Sequence, residues 1–222
     1  MPSDIDVDRQ HPILVARVAR ADGSTKLGLR VYCGARGRSV PLELCRECPG
    51  CHEVSLDEGG STGWIRCTPP PEQRRDDDRL LSVGDALHEG VVAVEEDMPV
   101  RNVIDLFVER ALRLAVVLDR DGRVVGVVHE SHLVPQIQAY TQGGAPHVLR
   151  LEASLVEDSL VSEIMSSARS ISERVSLRTA LEEMAAARHQ RLVATDDDER
   201  PVGILVDVHG LLALRSGEAR RG

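Results

Sequence analysis

The chain has 222 residues, enough for one large domain or two modest ones, with an ordinary apolar fraction of 42%. Aromatic residues make up only 2%, which argues against the stacking platforms that bind single-stranded nucleic acid. The net charge of −9 is uneven: residues 1–79 hold 12 Lys/Arg against 13 Asp/Glu, and the remaining residues hold 15 against 23, an excess that repels phosphate backbones.

The first residues, "MPSDIDVDRQ", are acidic and lack the apolar stretch of a signal peptide. No apolar run approaches the 18 or so residues of a membrane span. Both features point to a cytoplasmic protein with no membrane partner. Thiols stay reduced there, so clustered cysteines favour metal or redox chemistry over disulfides.

Residues 1–67 read as a small cysteine-rich β module. "PILVARV" and "KLGLRVYC" are predicted strands joined by "ADGSTK", and "GWIRC" is a third. Their apolar content is thin for a separate core, and such modules commonly lean on a bound metal. Residues 9–51 carry eight basic and three acidic side chains, a mild bias whose plain reading is a solvated surface.

All five cysteines lie in this module: Cys33, Cys45, Cys48, Cys51 and Cys67, spaced C-x11-C-x2-C-x2-C-x15-C. A C-x2-C step turns two thiolates toward one ion, and zinc takes four ligands in a tetrahedron. Cys45 and Cys48 with Cys33 and Cys67 form one candidate set; Cys48 with Cys51 is another pair, and His52 is a possible substitute ligand. The run also matches the first three positions of a ferredoxin-type C-x2-C-x2-C-x3-C, although Ser55 stands where the fourth cysteine belongs, so an iron–sulfur cluster is an alternative. Thiols without metal, acting as a packing device or an oxidation sensor, are the third reading.

"TPPPEQRRDDDR" (68–79) reads as an extended, charged linker. An internal repeat follows, with a shift of 77 residues that aligns Met98 with Val175, Phe107 with Met184, Gly126 with Gly203 and His132 with His209. Each copy is predicted as β-α-β-β-α. A short strand leads to a helix whose apolar stripe is Val100, Val103, Ile104, Phe107, Val108 and Ala111 in the first copy. In the second it is Leu177, Ala180, Leu181, Met184 and Ala185. Strands "RLAVVL" and "RLVAT" then reach acidic turns, "DRDG" and "DDDE", and return as "RVVGVV" and "PVGILV". A closing helix follows in each copy. Residues 80–140 and 158–216 hold the two copies, 141–157 a Gly/Pro-containing linker, and 217–222 a tail.

The repeat, the element order and the glycine placement resemble a tandem pair of CBS domains, a Bateman module. The cysteine-rich segment before it is similar to the zinc-ribbon modules found fused to such pairs. The resemblance implies an α+β fold of two β-α-β-β-α units packed as a pseudo-symmetric pair, preceded by a small metal-stabilised β module. It implies a non-enzymatic regulatory or sensor protein that binds an adenosine nucleotide or related ligand, forms a homodimer through the pair, and acts on a protein partner. In ligand-binding members the second hairpin strand ends Gly-h-h-Thr/Ser-x-x-Asp, and the Asp holds the ribose hydroxyls. Here the copies read Gly126-Val-Val-His129-Glu130-Ser131-His132 and Gly203-Ile-Leu-Val206-Asp207-Val208-His209. Histidine stands at both ribose positions. The candidate ligand-contacting residues are therefore His129, His132, Asp207 and His209. A zinc-dependent nucleic-acid binder is the least favoured alternative, given the acidic second part. No nucleophile–base pair or phosphate-cradling loop suggests catalysis.

Overall fold

The computed structural model describes residues 9–58, 62–68, 81–134 and 159–212. The predicted linkers 68–79 and 141–157, apart from residue 68, and the tail 217–222 lie outside the described residues. The fold is mixed α+β. It divides into two compact units, and neither is one continuous stretch of chain. The first draws on Met1–Ala16, Leu27–Val91 and Ser170–Gly222; the second on Arg17–Lys26 and Val92–Arg169.

Most of β1 (Arg9–Ala19) belongs to the first unit, where it is hydrogen-bonded to two strands. On one side is β2 (Thr25–Cys33), which pairs in turn with β3 (Arg38–Pro41). On the other is β5 (Gly63–Cys67), with Pro12 opposite Trp64, and β5 pairs with β4 (Cys51–Leu56). A short helix α1 (Leu42–Arg46) links β3 to β4. The sequence signals for β3, α1 and β4 are weak. The segment Arg38–Pro41 is only four residues long, and α1 is little more than one turn.

Strand alternation makes β1 the keel of this unit. Ile13 enters a core with Val31, Leu42 and Ile65, against which Cys45, Cys51, Val54 and Leu56 pack. Leu14, one residue on and 1% exposed, enters a second core with Val83, Leu87, Ile171, Leu177, Met184 and Leu205. The N-terminal segment is thus not left to a thin core of its own. One strand supplies side chains both to its core and to that of the second repeat.

The second repeat forms a three-stranded sheet: β9 (Ser170–Ser172) runs parallel to β10 (Arg191–Thr195), which pairs antiparallel with β11 (Pro201–Val206). Helix α4 (Leu177–Ala187) connects β9 to β10 and buries Leu177, Ala180 and Met184. Ser176 caps it, its hydroxyl accepting the Thr179 N–H at 3.1 Å.

The second unit repeats the design. Strand β6 (Val91–Glu95) runs parallel to β7 (Leu114–Leu118), and β7 pairs antiparallel with β8 (Val124–His129). Helix α2 (Val100–Arg110) buries Val100, Val103, Ile104 and Phe107. Two members of the expected stripe fall outside it. Val108 is 77% exposed, and Ala111 leaves the helix as its left-handed cap with φ 49°. Arg188 caps α4 in the same conformation, φ 55°. In both copies the next N–H turns back to the helix, Leu112 to Phe107 O at 3.0 Å and His189 to Met184 O at 2.9 Å. Position 111 is therefore set by helix termination and not by burial.

The segment ahead of each repeat packs with the other copy. A 3-10 turn at Val83–Ala86 sits in the first unit, where Val83 N–H meets Val175 O and Gly84 N–H meets Glu173 O, both at 2.9 Å. Helix α3 (Val161–Ile164) sits in the second unit, where Val161 N–H meets Met98 O at 2.9 Å and Ser162 N–H meets Glu96 O at 3.1 Å. These are the same bonds in both places, since 173 and 175 stand 77 residues after 96 and 98.

Candidate functional site

The chain turns back after β2 through bonds from the N–H groups of Arg36 and Gly37 to Cys33 O, at 3.0 and 2.8 Å. Strand β3 then leads into α1, which carries Cys45. Two successive turns follow: Cys48 N–H to Cys45 O at 3.1 Å and Cys51 N–H to Cys48 O at 3.0 Å. Cys51 opens β4 directly opposite Cys67 at the end of β5. The five predicted metal-site residues are brought to one end of the module. All are half-buried thiols.

Burial and then the neighbouring thiols Cys33, Cys67, Cys48 and Cys51, in that order, push the Cys45 thiol up to about 12. All four other sulfurs therefore act electrostatically on Cys45. Among the described residues, however, no group of three or more His, Cys, Asp or Glu side chains is arranged to hold a metal ion. The gathering expected from the spacing is present; a preformed ligand set is not. The donor type does fit a thiophilic cation, whose charge would reverse the repulsion that keeps Cys45 protonated. An iron–sulfur ligand set is absent among the described residues on the same grounds.

The second candidate site lies where each hairpin meets its following helix. In the second unit the Cβ position of Gly126 faces Met165 and the carbonyl of Ser166. In the first unit that of Gly203 faces Leu87 and the carbonyl of Glu89. Bridges Val127–Ser166 and Glu89–Ile204 pair the lead-ins to the hairpins at matching positions. The repeat glycines are thus equivalent: each lets a lead-in backbone cross close over the hairpin.

Helical residues begin at 130 and 207. The Glu130 and Asp207 N–H groups donate to Arg113 O and Gln190 O, at 3.2 and 3.1 Å, again a matching pair. The His132 ring stands edge-on to His129, with centroids 5.4 Å apart at 77°. The His129 N–H donates to His132 Nδ1 at 3.4 Å, so in the neutral ring Nε2 carries the proton. The counterpart His209 also has an edge-on imidazole, 5.6 Å away at 81°, but this ring is His88 from the lead-in. His209 Nδ1 is buried and without a hydrogen-bond partner. Burial, and then the His209 charge, lower the His88 pKa, while Glu89 opposes this. Asp207 Oδ1 accepts its neighbour's N–H, from Val208, at 2.6 Å.

The structure therefore brings His129 to His132, places Asp207 two residues before His209, and adds His88. Sequence reasoning missed His88, although it lies in the lead-in "VGDALHEG" that the repeat aligns with 161–171. Where the resemblance leads one to expect a carboxylate, an acceptor, the first repeat has His132, whose neutral ring has its N–H at Nε2.

A buried polar set links the N-terminal segment to the second repeat, and no sequence motif announces it. Glu173, 1% exposed, accepts the Ser39 N–H at 2.9 Å and the Ser39 hydroxyl. Arg30 pairs with Asp196 at 3.1 Å and donates to Ser39 O at 3.2 Å. The Tyr32 hydroxyl meets Ser82 Oγ at 2.6 Å. Among the described residues no helix is long and apolar enough to cross a membrane.

The CBS domain family model matches residues 83–138 and 161–209. No curated protein matches the chain. Among solved structures, a CBS domain-containing protein of unknown function from Kribbella flavida is 14% identical, with a TM-score of 0.52 over 61% of this chain and 98% of that one. The CBS domain of a membrane protein from Sphaerobacter thermophilus is 21% identical, with a TM-score of 0.46 over 61% of this chain and 88% of that one. A complex of CBSX2 with AMP is 19% identical, with a TM-score of 0.42 over 64% and 96%. The matched segments coincide with the two copies of the repeated fold.

Proposed function

We propose that this chain is a cytoplasmic regulatory sensor with no catalytic activity of its own. Its CBS pair takes a small ligand at the hairpin–helix junctions and serves as a homodimerisation platform, and its N-terminal segment holds zinc. The observation that carries the reading is the doubled junction: glycine under a crossing lead-in, and a histidine with an edge-on imidazole partner, in both repeats. Two unrelated chain routes supply that partner, His129 within its own hairpin and His88 from a lead-in. The recurrence argues for a requirement of the site.

CBS pairs are commonly ligand-binding regulatory modules, and adenosine nucleotides are the first class to test. With histidine at both ribose positions, AMP and ATP bind weakly to the native chain, and His132→Asp and His209→Asp strengthen binding. Exposed Val208, Leu211 and Leu212 at residues 207–212 offer apolar surface for a second copy or a protein partner. The excess of acidic residues disfavours nucleic acid.

The zinc part rests on Cys45 and the four sulfurs that act on it, whose repulsion a divalent cation would relieve. Cys33, Cys45, Cys48, Cys51 and Cys67 are the residues that would hold it. Bound zinc would supply a structural cross-link to the small core of Ile13, Val31, Leu42 and Ile65. Elemental analysis of protein purified without added metal, sedimentation, and calorimetric titration with AMP and ATP test the reading together. A metal-free monomer indifferent to nucleotides, in native and Asp-substituted forms alike, overturns it.

A further inference from the structure

Five thiols exceed the four that one tetrahedral ion takes, and two of them stand in a relationship of their own. Cys51 and Cys67 are direct cross-strand neighbours on antiparallel β4 and β5. Their backbone bonding fixes which kind of neighbour. The Cys51 N–H is directed to Cys48 O, not to Cys67, and the ladder bond at this end runs one residue outward, from Thr68 N–H to Gly50 O at 2.8 Å. Cys51 and Cys67 therefore occupy a non-hydrogen-bonded position, where opposed Cα atoms lie about 4.5 Å apart and side chains approach most closely. That spacing falls inside the roughly 4.4–6.8 Å window that a disulfide spans. The register shifts between Cys51 and Glu53, and such a bulge bends the strand locally and gives its first residue room to adjust.

We propose that Cys51 and Cys67 are a peroxide-responsive dithiol that closes into a cross-strand disulfide. Hydrogen peroxide transfers one oxygen to the sulfur of one thiol, which reacts as its thiolate, and the hydroxide released takes up the thiol proton to leave as water. The second thiol attacks that sulfur, and the hydroxyl leaves as a second water. Two thiols and one peroxide thus give one disulfide and two waters. The closed bridge ties the start of β4 to the end of β5 and withdraws two sulfurs from the group around Cys45. The proposal goes beyond the zinc reading and does not depend on it.

The test uses the full native chain, stripped with a chelator, treated with one equivalent of hydrogen peroxide, alkylated and digested with trypsin. Cleavage after Arg46 and Arg66 separates Cys67 from Cys48 and Cys51, and fragmentation spectra distinguish those two. The expected product is a Cys51–Cys67 bridge, two hydrogens lighter than the reduced pair, with Cys33, Cys45 and Cys48 alkylated. The oxidised chain also melts above the reduced chain, and Cys51→Ser and Cys67→Ser each abolish that shift. A dominant bridge between any other pair, or no bridge at tenfold peroxide excess, overturns the proposal. An arm preloaded with zinc separates the two readings. Slower bridging supports the metal site, and unchanged bridging counts against zinc while the pair stands.

Discussion

The Glu173 carboxylate accepts two hydrogen bonds from one residue, Ser39, which lies 134 positions earlier in the chain. Both are buried, at 1% and 4% exposure. A charged acceptor out of water depends on its donors, and Ser39 contributes both its N–H and its hydroxyl. Ser39→Ala removes one bond to a charged group and leaves a lone pair unserved. The expected cost is about 1.5–3 kcal/mol. Urea unfolding checks it, as a lower midpoint with an unchanged slope.

The same carboxyl gives a pH signature. Burial raises the Glu173 pKa above its ordinary value of 4.5, against the opposing pull of the Ser39 bonds and Arg30. In the window from that ordinary value up to the raised one, the folded chain binds more protons than the unfolded chain. The Glu173 contribution is therefore full below the window and declines as pH rises through it. Glu173→Gln removes this slope. Unfolding free energies of both forms, compared between about pH 4.5 and 7, converge at the lower end relative to the upper if the sign is reversed, and that result rejects the assignment.

The acidic turns test backbone conformation. In the first repeat Asp119 Oδ1 accepts the N–H groups of Asp121 and Arg123, at 2.9 and 2.8 Å. In the second, Asp196 Oδ1 accepts those of Asp198 and Arg200, at 3.1 and 3.0 Å. The last turn residue is left-handed in both: Gly122 at φ 81° and Glu199 at φ 60°. A side chain at that angle costs about 1–2 kcal/mol, partly offset by the entropy glycine loses on folding. Glu199→Gly is expected to stabilise by up to about 1 kcal/mol, and Gly122→Glu to destabilise by a similar amount. Paired thermal melts decide this.

The junction glycines give a graded pair. A Cβ at Gly203 would stand 2.9 Å from Glu89 O and 3.2 Å from Leu87 Cδ1. A Cβ at Gly126 would stand 2.5 Å from Met165 Sδ and 3.0 Å from Ser166 O. Each alanine is expected to destabilise by about 1–3 kcal/mol. Gly203→Ala is the costlier, because its nearest obstacle is backbone, while the Met165 side chain can swing aside. Equal midpoints for Gly203→Ala and the native chain would refute the crossing.

The repeat was legible because apolar periodicity, turn aspartates and glycines recur at one fixed shift, and each reflects local physics. The buried faces of α2 and α4 followed from the same periodicity. Ala111 misled because the stripe continues in sequence past the point where the left-handed cap ends the helix, whereas Val108 and Ala185 lie within their helices but are exposed. The gathering of the cysteines followed from spacing and strand ends; their failure to form a ready ligand set did not, since that depends on rotamers. Ser39, Glu173, Arg30 and Asp196 were invisible because their partnership is long-range and their residue types are ordinary on a surface. His88 was hidden for a related reason: the ring it meets belongs to a helix start 121 residues later.

The exchanged lead-ins make the duplication indivisible. A fragment covering residues 80–157 would carry the 3-10 turn that completes the other copy and would lack α3, which completes its own. It would have to borrow, and the nearest lender in solution is a sister molecule in the same predicament. Truncation would thus tend to yield intertwined pairs of half-chains, and a single ancestral copy would have needed a twin to be whole.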